Sequence, residues 1–198
     1  DALTEQVFNQ AVRSGAEWQA LGLNLHVSVN FCVDTLNRYD LPQLLLARAE
    51  HEGFESRLLT LEVTESRMMD EVTLPLEILT RLRMRGVGLS VDDFGTGHST
   101  LEQVKRLPFT ELKVDRAFVY GAAQDYAAKA ILESSVELAK RLQLDIIAEG
   151  VETQEDWDLV ASLGCHQVQG YFVSKPIEAE EITEFARRDW REDIALVG

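Results

Sequence analysis

The stretch Gly88–Asp115, GLSVDDFGTGHSTLEQVKRLPFTELKVD, decides the fold. It opens on an alternating segment in which Leu89 and Val91 share one face and Ser90 and Asp92 the other, the period-two pattern of a strand over Gly88 to Asp92. Asp93 then sits where the strand should turn into a glycine-rich loop, Phe94 to Ser99. Thr100 to Arg106 reads as a short helix that stops before Pro108. A second alternating segment, Glu111 to Asp115, sets Leu112 and Val114 against Glu111, Lys113 and Asp115. A strand, a helix and another strand within so short a span form the unit of a parallel sheet.

The same rhythm extends in both directions. Upstream, a helix is expected from Leu3 to Ala20 with Leu3, Val7, Ala11 and Trp18 on one stripe. It is followed by a strand from Asn24 to Asn30, a helix from Leu41 to His51 (Leu41, Leu44, Leu45 and Ala49 inward) and a strand from Leu58 to Thr64. A helix from Asp70 to Arg85 follows, with Leu74, Ile78, Leu79 and Leu82 inward and Gly86 as its stop. Downstream come a helix from Tyr126 to Leu142 (Ile131, Ser135, Leu138 and Leu142 at helical spacing) and a strand from Asp145 to Glu149. Thr153 and Asp156 stand at capping-box spacing before a helix that Gly164 ends. A last strand from Gln167 to Phe172 and a helix from Ile177 to Asp189 complete the pattern.

Bulk properties narrow the class. At 198 residues and 45% apolar, the chain reads as one globular domain, residues 1–198. No apolar run approaches the roughly 20 residues of a membrane span, and the first residues read as a helix rather than a leader, so the chain as given is expected to be soluble and cytoplasmic. A net charge of −15 argues against a general nucleic-acid surface, although acids that hold cations can hold phosphate through them. Cys32 and Cys165 lack zinc or CxxC spacing and read as reduced, buried thiols. Neither GxGxxG nor GxxxxGK[ST] follows any strand, which disfavours the common nucleotide folds.

Strand parity separates an open doubly wound sheet from a barrel. Parallel strands are ordinarily apolar on both faces. Here one face of each strand is apolar and the other polar, ending toward its C-terminus in Asn30, Glu62, Asp92, Lys113 with Asp115, Glu149 and Gln169. Such a ring of buried charge needs compensation, and the C-terminal mouth of a β/α barrel, where barrel active sites lie, supplies a place for it. Asn30, Glu62, Asp92, Asp93 and Glu149 offer hard oxygen ligands suited to Mg²⁺, Mn²⁺ or Ca²⁺. The adjacent pair Asp92–Asp93 suits a bridge between two ions roughly 4 Å apart, an arrangement that activates water against a phosphodiester. Lys113 is placed to steady that water or the developing charge. His98 reads as a loop-packing residue, Ser99 has no catalytic partner set, and Trp18, Trp157 and Trp190 read as packing residues.

The segments VSVN, LEVTES, VDDFGTGHSTLEQVKRLPFTELKVDRAFV, IAEGVET and GCHQVQGYFVSKP together resemble the EAL domain, the cyclic-di-GMP phosphodiesterases. The resemblance implies a modified (β/α)8 TIM-like barrel that opens cyclic di-GMP to linear pGpG with water activated by Mg²⁺ or Mn²⁺, two ions in all, and that Ca²⁺ inhibits. It implies that Asn30, Glu62 and Asp92 ligate one ion and that Asp92, Asp93 and Glu149 surround the second. Lys113 would lie by the attacking water, and Glu65 would hold the loop after the Asp pair. Asp115, Glu152, Gln169 and Pro176 would line the substrate site. A homodimer, with Ser99 to Arg106 as a candidate surface, and coupling to sensor domains are further implications.

One departure stands out: the chain contains no Glu-Ala-Leu. By the resemblance, strands three to eight are present and the first two, with a glutamate ligand and a nearby arginine, are absent. The expectation is therefore an N-terminally truncated barrel, part of a longer chain. A non-catalytic cyclic-di-GMP receptor is the alternative, and a barrel enzyme for another phosphodiester a third.

Overall fold

The computed structural model describes residues 2–31, 38–64, 73–96 and 101–188. Along the chain run α1 (Ala2–Ala20), β1 (Val27–Asn30), α2 (Leu41–Glu52), β2 (Leu59–Thr64), α3 (Thr73–Arg83), β3 (Gly88–Phe94) and α4 (Leu101–Arg106). They are followed by β4 (Glu111–Val114), α5 (Tyr126–Leu142), β5 (Asp145–Glu149), α6 (Gln154–Leu163), β6 (Gln167–Gln169) and α7 (Ile182–Arg187). The six strands form one parallel sheet in chain order, a half-barrel with helices on its outer face.

The expected apolar face is the outer one. Val27, Val29, Leu59, Leu61, Val63, Leu89, Val91, Leu112, Val114, Ile146 and Ala148 are all buried and form one core with the helices. The polar face is buried as well, but only in the middle of the sheet. Thr60, Glu62, Ser90, Asp92 and Lys113 are shielded, whereas Ser28 and Asn30 on β1 and Gln167 and Gln169 on β6 are exposed. A curved sheet walls in its central side chains and leaves those of its two edge strands open, which accounts for the gradient.

The strands are strongly staggered. One row of paired residues runs from Asn30, the last residue of β1, through Glu62, Ser90 and Glu111 to Asp145, the first of β5. Strand tilt in a closing barrel produces this offset. Side chains at one height are therefore not register partners. Glu62 pairs with Ser90, yet Asp92, two residues on, shares its level; Lys113 pairs with Ile147, yet Glu149 shares its level. Steps of two preserve the face.

Helix faces depart from the sequence expectation in three places. On α1, Leu3 and Val7 are 69% and 47% exposed, and the buried stripe is Phe8, Val12 and Gly15. Phe54 fixes that choice: its ring lies so close that a Cβ on Gly15 would stand 2.6 Å from it. On α2, Leu44 is exposed while Leu41, Leu45 and Ala49 are buried. On α5 the buried face is Ala128, Leu132, Ser135, Val136 and Ala139, and Ile131 lies outside it. In each case two apolar stripes compete, and the one that meets the sheet wins.

The ends of elements also differ. The first strand begins at Val27 rather than Asn24, and the last stops at Gln169 rather than Phe172. Gly170 explains the stop: a Cβ there would stand 2.1 Å from the Val151 carbonyl oxygen, so the chain turns against the β5–α6 loop. There Val151 N–H donates to Gln169 (3.1 Å) and Phe172 N–H donates back to Val151 (3.0 Å). The last helix begins at Ile182, not Ile177. The capping box at Thr153 and Asp156 and the left-handed Gly164 cap of α6 are as read. Cys165 is half-buried, with its thiol pushed up to about 11 by burial, against a smaller lowering by Lys140. Trp18 donates to the Ala179 carbonyl at 3.2 Å, and Trp157 packs on Phe172. Cys32, His98, Ser99 and Trp190 lie outside the described residues.

Candidate metal centre

Lys113 stands at the centre of the buried polar face. Its Nζ lies 2.6 Å from Glu149 Oε1, 2.9 Å from Glu62 Oε2 and 3.1 Å from Asp92 Oδ1. The four side chains come from β4, β5, β2 and β3, and each is at most 15% exposed. Burial alone would push the Lys113 ammonium toward neutrality. The hydrogen bond it donates to Glu149, the charges of Glu62 and Glu149, and the hydrogen bond it donates to Glu62 together outweigh it, and the pKa rises above that of a free lysine. Glu149 is held above the usual carboxylate range, chiefly by burial; Lys113 opposes the rise, while Asp92 and Glu62 add to it. Three carboxylates against one ammonium leave two negative charges in excess.

A bulge brings in a further acid. Pairing between β3 and β4 slips between Val91 and Phe94, and Asp93 adopts φ 56°. A regular strand would send consecutive side chains to opposite faces. The left-handed residue breaks that alternation, and oxygens of Asp92, Asp93 and Glu149 come within 4.8 Å of one another. The strand continues to Phe94 rather than turning at Asp93. Asp tolerates the conformation better than most residues, and the Asp93 carbonyl accepts from the Thr96 hydroxyl at 2.8 Å, which closes the turn.

The donor set fits a divalent cation. It is all oxygen, as hard cations require. Asp92 Oδ1, although near Lys113, makes no hydrogen bond and is a buried acceptor left unsatisfied. Asn30 pairs in register with Glu62 from the neighbouring edge strand, where it is exposed. Ser90, 0% exposed and directly beside Glu62 in register, also has a hydroxyl without a hydrogen-bond partner.

Beside Glu149 a cleft of about 590 Å³ opens, lined among others by Arg116, Glu152, Gln169, Tyr171, Lys175 and Pro176. Glu152, Gln169 and Pro176 thus share one cavity with Glu149. Asp115 does not line it. Its carboxylate accepts from Ala117 N–H at 2.9 Å and caps the short turn Arg116–Phe118. Glu65 lies outside the described residues. Arg116, which strand parity does not single out, pairs with Glu152 at 2.9 Å and stands over the Tyr120 ring. Its stem covers Gly150 so closely that a Cβ there would stand 2.2 Å from Arg116 Cγ. The sequence signals were Gly150 directly after Glu149 and a cation directly after Asp115.

A parallel β/α half-barrel with an acidic, cation-suited centre at its strand ends falls in the class of β/α-barrel proteins that carry their sites at the C-terminal ends of the strands. The EAL domain family model matches residues 1–176, and the chain belongs to that family. It is 39% identical over 179 residues to the oxygen sensor protein DosP of Escherichia coli, covering 89% of this chain and 22% of that protein. It is 36% identical over 188 residues to the cyclic di-GMP phosphodiesterase NbdA of Pseudomonas aeruginosa, covering 94% and 24%. The structure of the PaMucR phosphodiesterase in complex with c-di-GMP superposes with a TM-score of 0.86 at 37% identity, over 91% of this chain and 74% of that one. The chain spans about a quarter of the length of these two curated relatives. Among the described residues no helix is long and apolar enough to cross a membrane.

Proposed function

We propose that this chain is the catalytic module of a metal-dependent phosphodiesterase that opens cyclic di-GMP to linear pGpG. The convergence of the Asp92, Asp93 and Glu149 oxygens beside an unsatisfied buried acceptor carries the reading. Asp92, Asp93 and Glu149, with Glu62 and Asn30 from the neighbouring strands, would hold Mg²⁺ or Mn²⁺, one ion or two, which when bound supply an acidified water and charge neutralisation at phosphate. Lys113 keeps Glu62, Asp92 and Glu149 converged and stays protonated, so it presents positive charge where a phosphodiester gains negative charge. Glu152, Gln169 and Pro176 line the cleft that would receive the nucleotide. Asp115 holds the adjoining turn, and Glu65 would hold the loop after the Asp pair.

The six strands correspond, on this reading, to strands three to eight of an eight-stranded barrel within a single domain, 1–198. Coupling to a sensor domain, a homodimer built around residues 99–106, a cytoplasmic location and occupation by Ca²⁺ without turnover belong to the same proposal. The second reading is a non-catalytic cyclic-di-GMP receptor. It is favoured by one observation: the Lys113 ammonium already occupies the middle of three carboxylates. Incubation of the chain, alone and within its full-length protein, with cyclic di-GMP and Mg²⁺ or Mn²⁺ separates the two. Appearance of pGpG supports the enzyme. Binding without pGpG from the full-length protein overturns it in favour of the receptor.

A further inference from the structure

The capping box at the start of α6 does more than begin a helix. Asp156 is 1% exposed, deep for the third residue of a helix, and its two oxygens face different parts of the chain. Oδ2 accepts from Thr153 N–H at 3.1 Å and from Glu152 N–H at 3.2 Å, closing the box. Oδ1 accepts from Gly121 N–H at 2.9 Å. Gly121 lies 35 residues away in the turn that follows Arg116–Phe118, and its φ of +72° aims that N–H inward. A helix cap requires one acceptor oxygen; the second is spent on a tie between two loops.

Those two loops carry the two sides of one ion pair. Arg116 comes from the loop after β4 and Glu152 from the loop after β5, and they meet at 2.9 Å on the wall of the cleft beside Glu149. The Arg116 stem also lies against Gly150, a packing contact without the directionality of a hydrogen bond. The Arg116 side chain is 58% exposed, and an ion pair that open to water is weak by itself. A buried carboxylate accepting three backbone N–H groups is strong and directional.

We infer that Asp156 is a positioning residue which, through its bonds to Gly121 and Glu152, sets the Arg116–Glu152 pair and so the shape of the cleft wall that receives the nucleotide. The inference rests on the reading of the cleft as the cyclic-di-GMP site. It predicts a binding effect separable from the metal centre, because the tie acts at the cleft wall and not on Asp92, Asp93 or Lys113.

Asp156→Asn discriminates. An amide has one acceptor, so the variant keeps the cap with its oxygen and turns an NH₂ group toward the Gly121 N–H, which breaks the tie. Thr153→Ala does the reverse: it weakens the cap and leaves the tie. Equilibrium binding of cyclic di-GMP to the full-length protein and steady-state turnover are measured for each. The expected result is a Kd and KM raised about tenfold in D156N, the worth of one such bond, with kcat within about twofold, and a T153A variant of lower Tm but unchanged Kd. In an Arg116→Ala background D156N should add little further loss, since its effect passes through that pair. Asp156→Glu, which keeps two acceptors, should restore most of the affinity. It also serves as the test if D156N does not fold: in a stable D156E, affinity and hydrogen-exchange protection at Gly121 should be kept or lost together, and a tenfold loss of affinity with full protection, or normal affinity with protection lost, overturns the inference. D156N binding as tightly as wild type, or losses that add independently to those of R116A, would overturn the inference. Failure of the wild-type protein to bind cyclic di-GMP would instead overturn the reading on which it rests. The tie itself is tested without ligand, by loss of hydrogen-exchange protection at Gly121 in D156N, and full retention of that protection refutes it.

Discussion

Replacing Lys113 by methionine isolates the electrostatics of the centre. Methionine keeps an apolar stem of similar length, so the change is the loss of the ammonium. Glu62, Asp92 and Glu149, at 9%, 13% and 15% side-chain exposure, would then face one another with no cation among them. Removing one partner from a buried ion pair costs about 3–5 kcal/mol. Here the lower end applies, because Glu149, already raised by burial, can take up a proton and cut the repulsion. For a domain of this size each kcal/mol shifts the melting temperature by about 2–4 °C, so a loss of roughly 6–12 °C is expected near pH 7.5. The Lys113 pKa is raised in the fold, so its contribution is complete below the unfolded value of about 10.4 and is lost only as pH rises through the folded one. Thermal unfolding followed by circular dichroism in EDTA measures the deficit. Two further signs are required. The deficit should shrink as pH falls through the raised range of Glu149, whose protonation relieves the repulsion, and added Mn²⁺ should raise the melting temperature of K113M more than that of wild type, since it enters a site stripped of its internal cation. A K113M variant within about 2 °C of wild type at pH 7.5 would refute the reasoning, for it would mean that the carboxylates are compensated elsewhere.

Glu62→Gln and Asp92→Asn should each lower pGpG formation by the full-length protein at least about 100-fold while leaving it folded; a normal rate by chromatography would remove that residue from the centre. EDTA should abolish turnover, Mn²⁺ or Mg²⁺ should restore it and Ca²⁺ should not, which Ca²⁺-supported turnover would contradict. Gly170→Ala should destabilise by about 2–3 kcal/mol, because the Val151 carbonyl that the new methyl meets is backbone and cannot step aside; an unchanged urea midpoint would show that the turn relaxes. In a Cys32→Ser background, alkylation of Cys165 should be slow at pH 8 and accelerate toward pH 11. A raised thiol favours the protonated fold, so this group's contribution to stability is complete below about pH 8.5 and declines as pH rises toward the folded value; rapid alkylation at pH 8 would refute the burial of the thiol.

Period-two alternation was legible wherever a strand has one apolar and one polar face, so Glu62, Asp92, Lys113 and Glu149 were legible as residues of a common face. Helix stripes were less legible. Leu3 and Val7 on α1 recur at helical spacing as convincingly as Phe8 and Val12, and only the sheet beneath selects between them. Arg116 was signalled only indirectly, by Gly150 after Glu149 and by its own place after Asp115, and the second role of Asp156 was not legible at all, because each depends on a loop about 35 residues distant in the chain.

Sequence by itself determined the parallel β/α architecture, the division of each strand into an outer apolar and an inner polar face, and the oxygen chemistry of the acids, since these follow from local periodicity and residue type. Tertiary structure alone decided which acids meet. Strand tilt sets Glu62 level with Asp92 rather than with its partner Ser90, and Lys113 level with Glu149 rather than with Ile147. The bulge at Asp93 turns a second consecutive carboxylate onto the same side. Both depend on how far each strand slides past its neighbour as the sheet curves, a quantity set by packing across the whole sheet and written in no single segment of the chain.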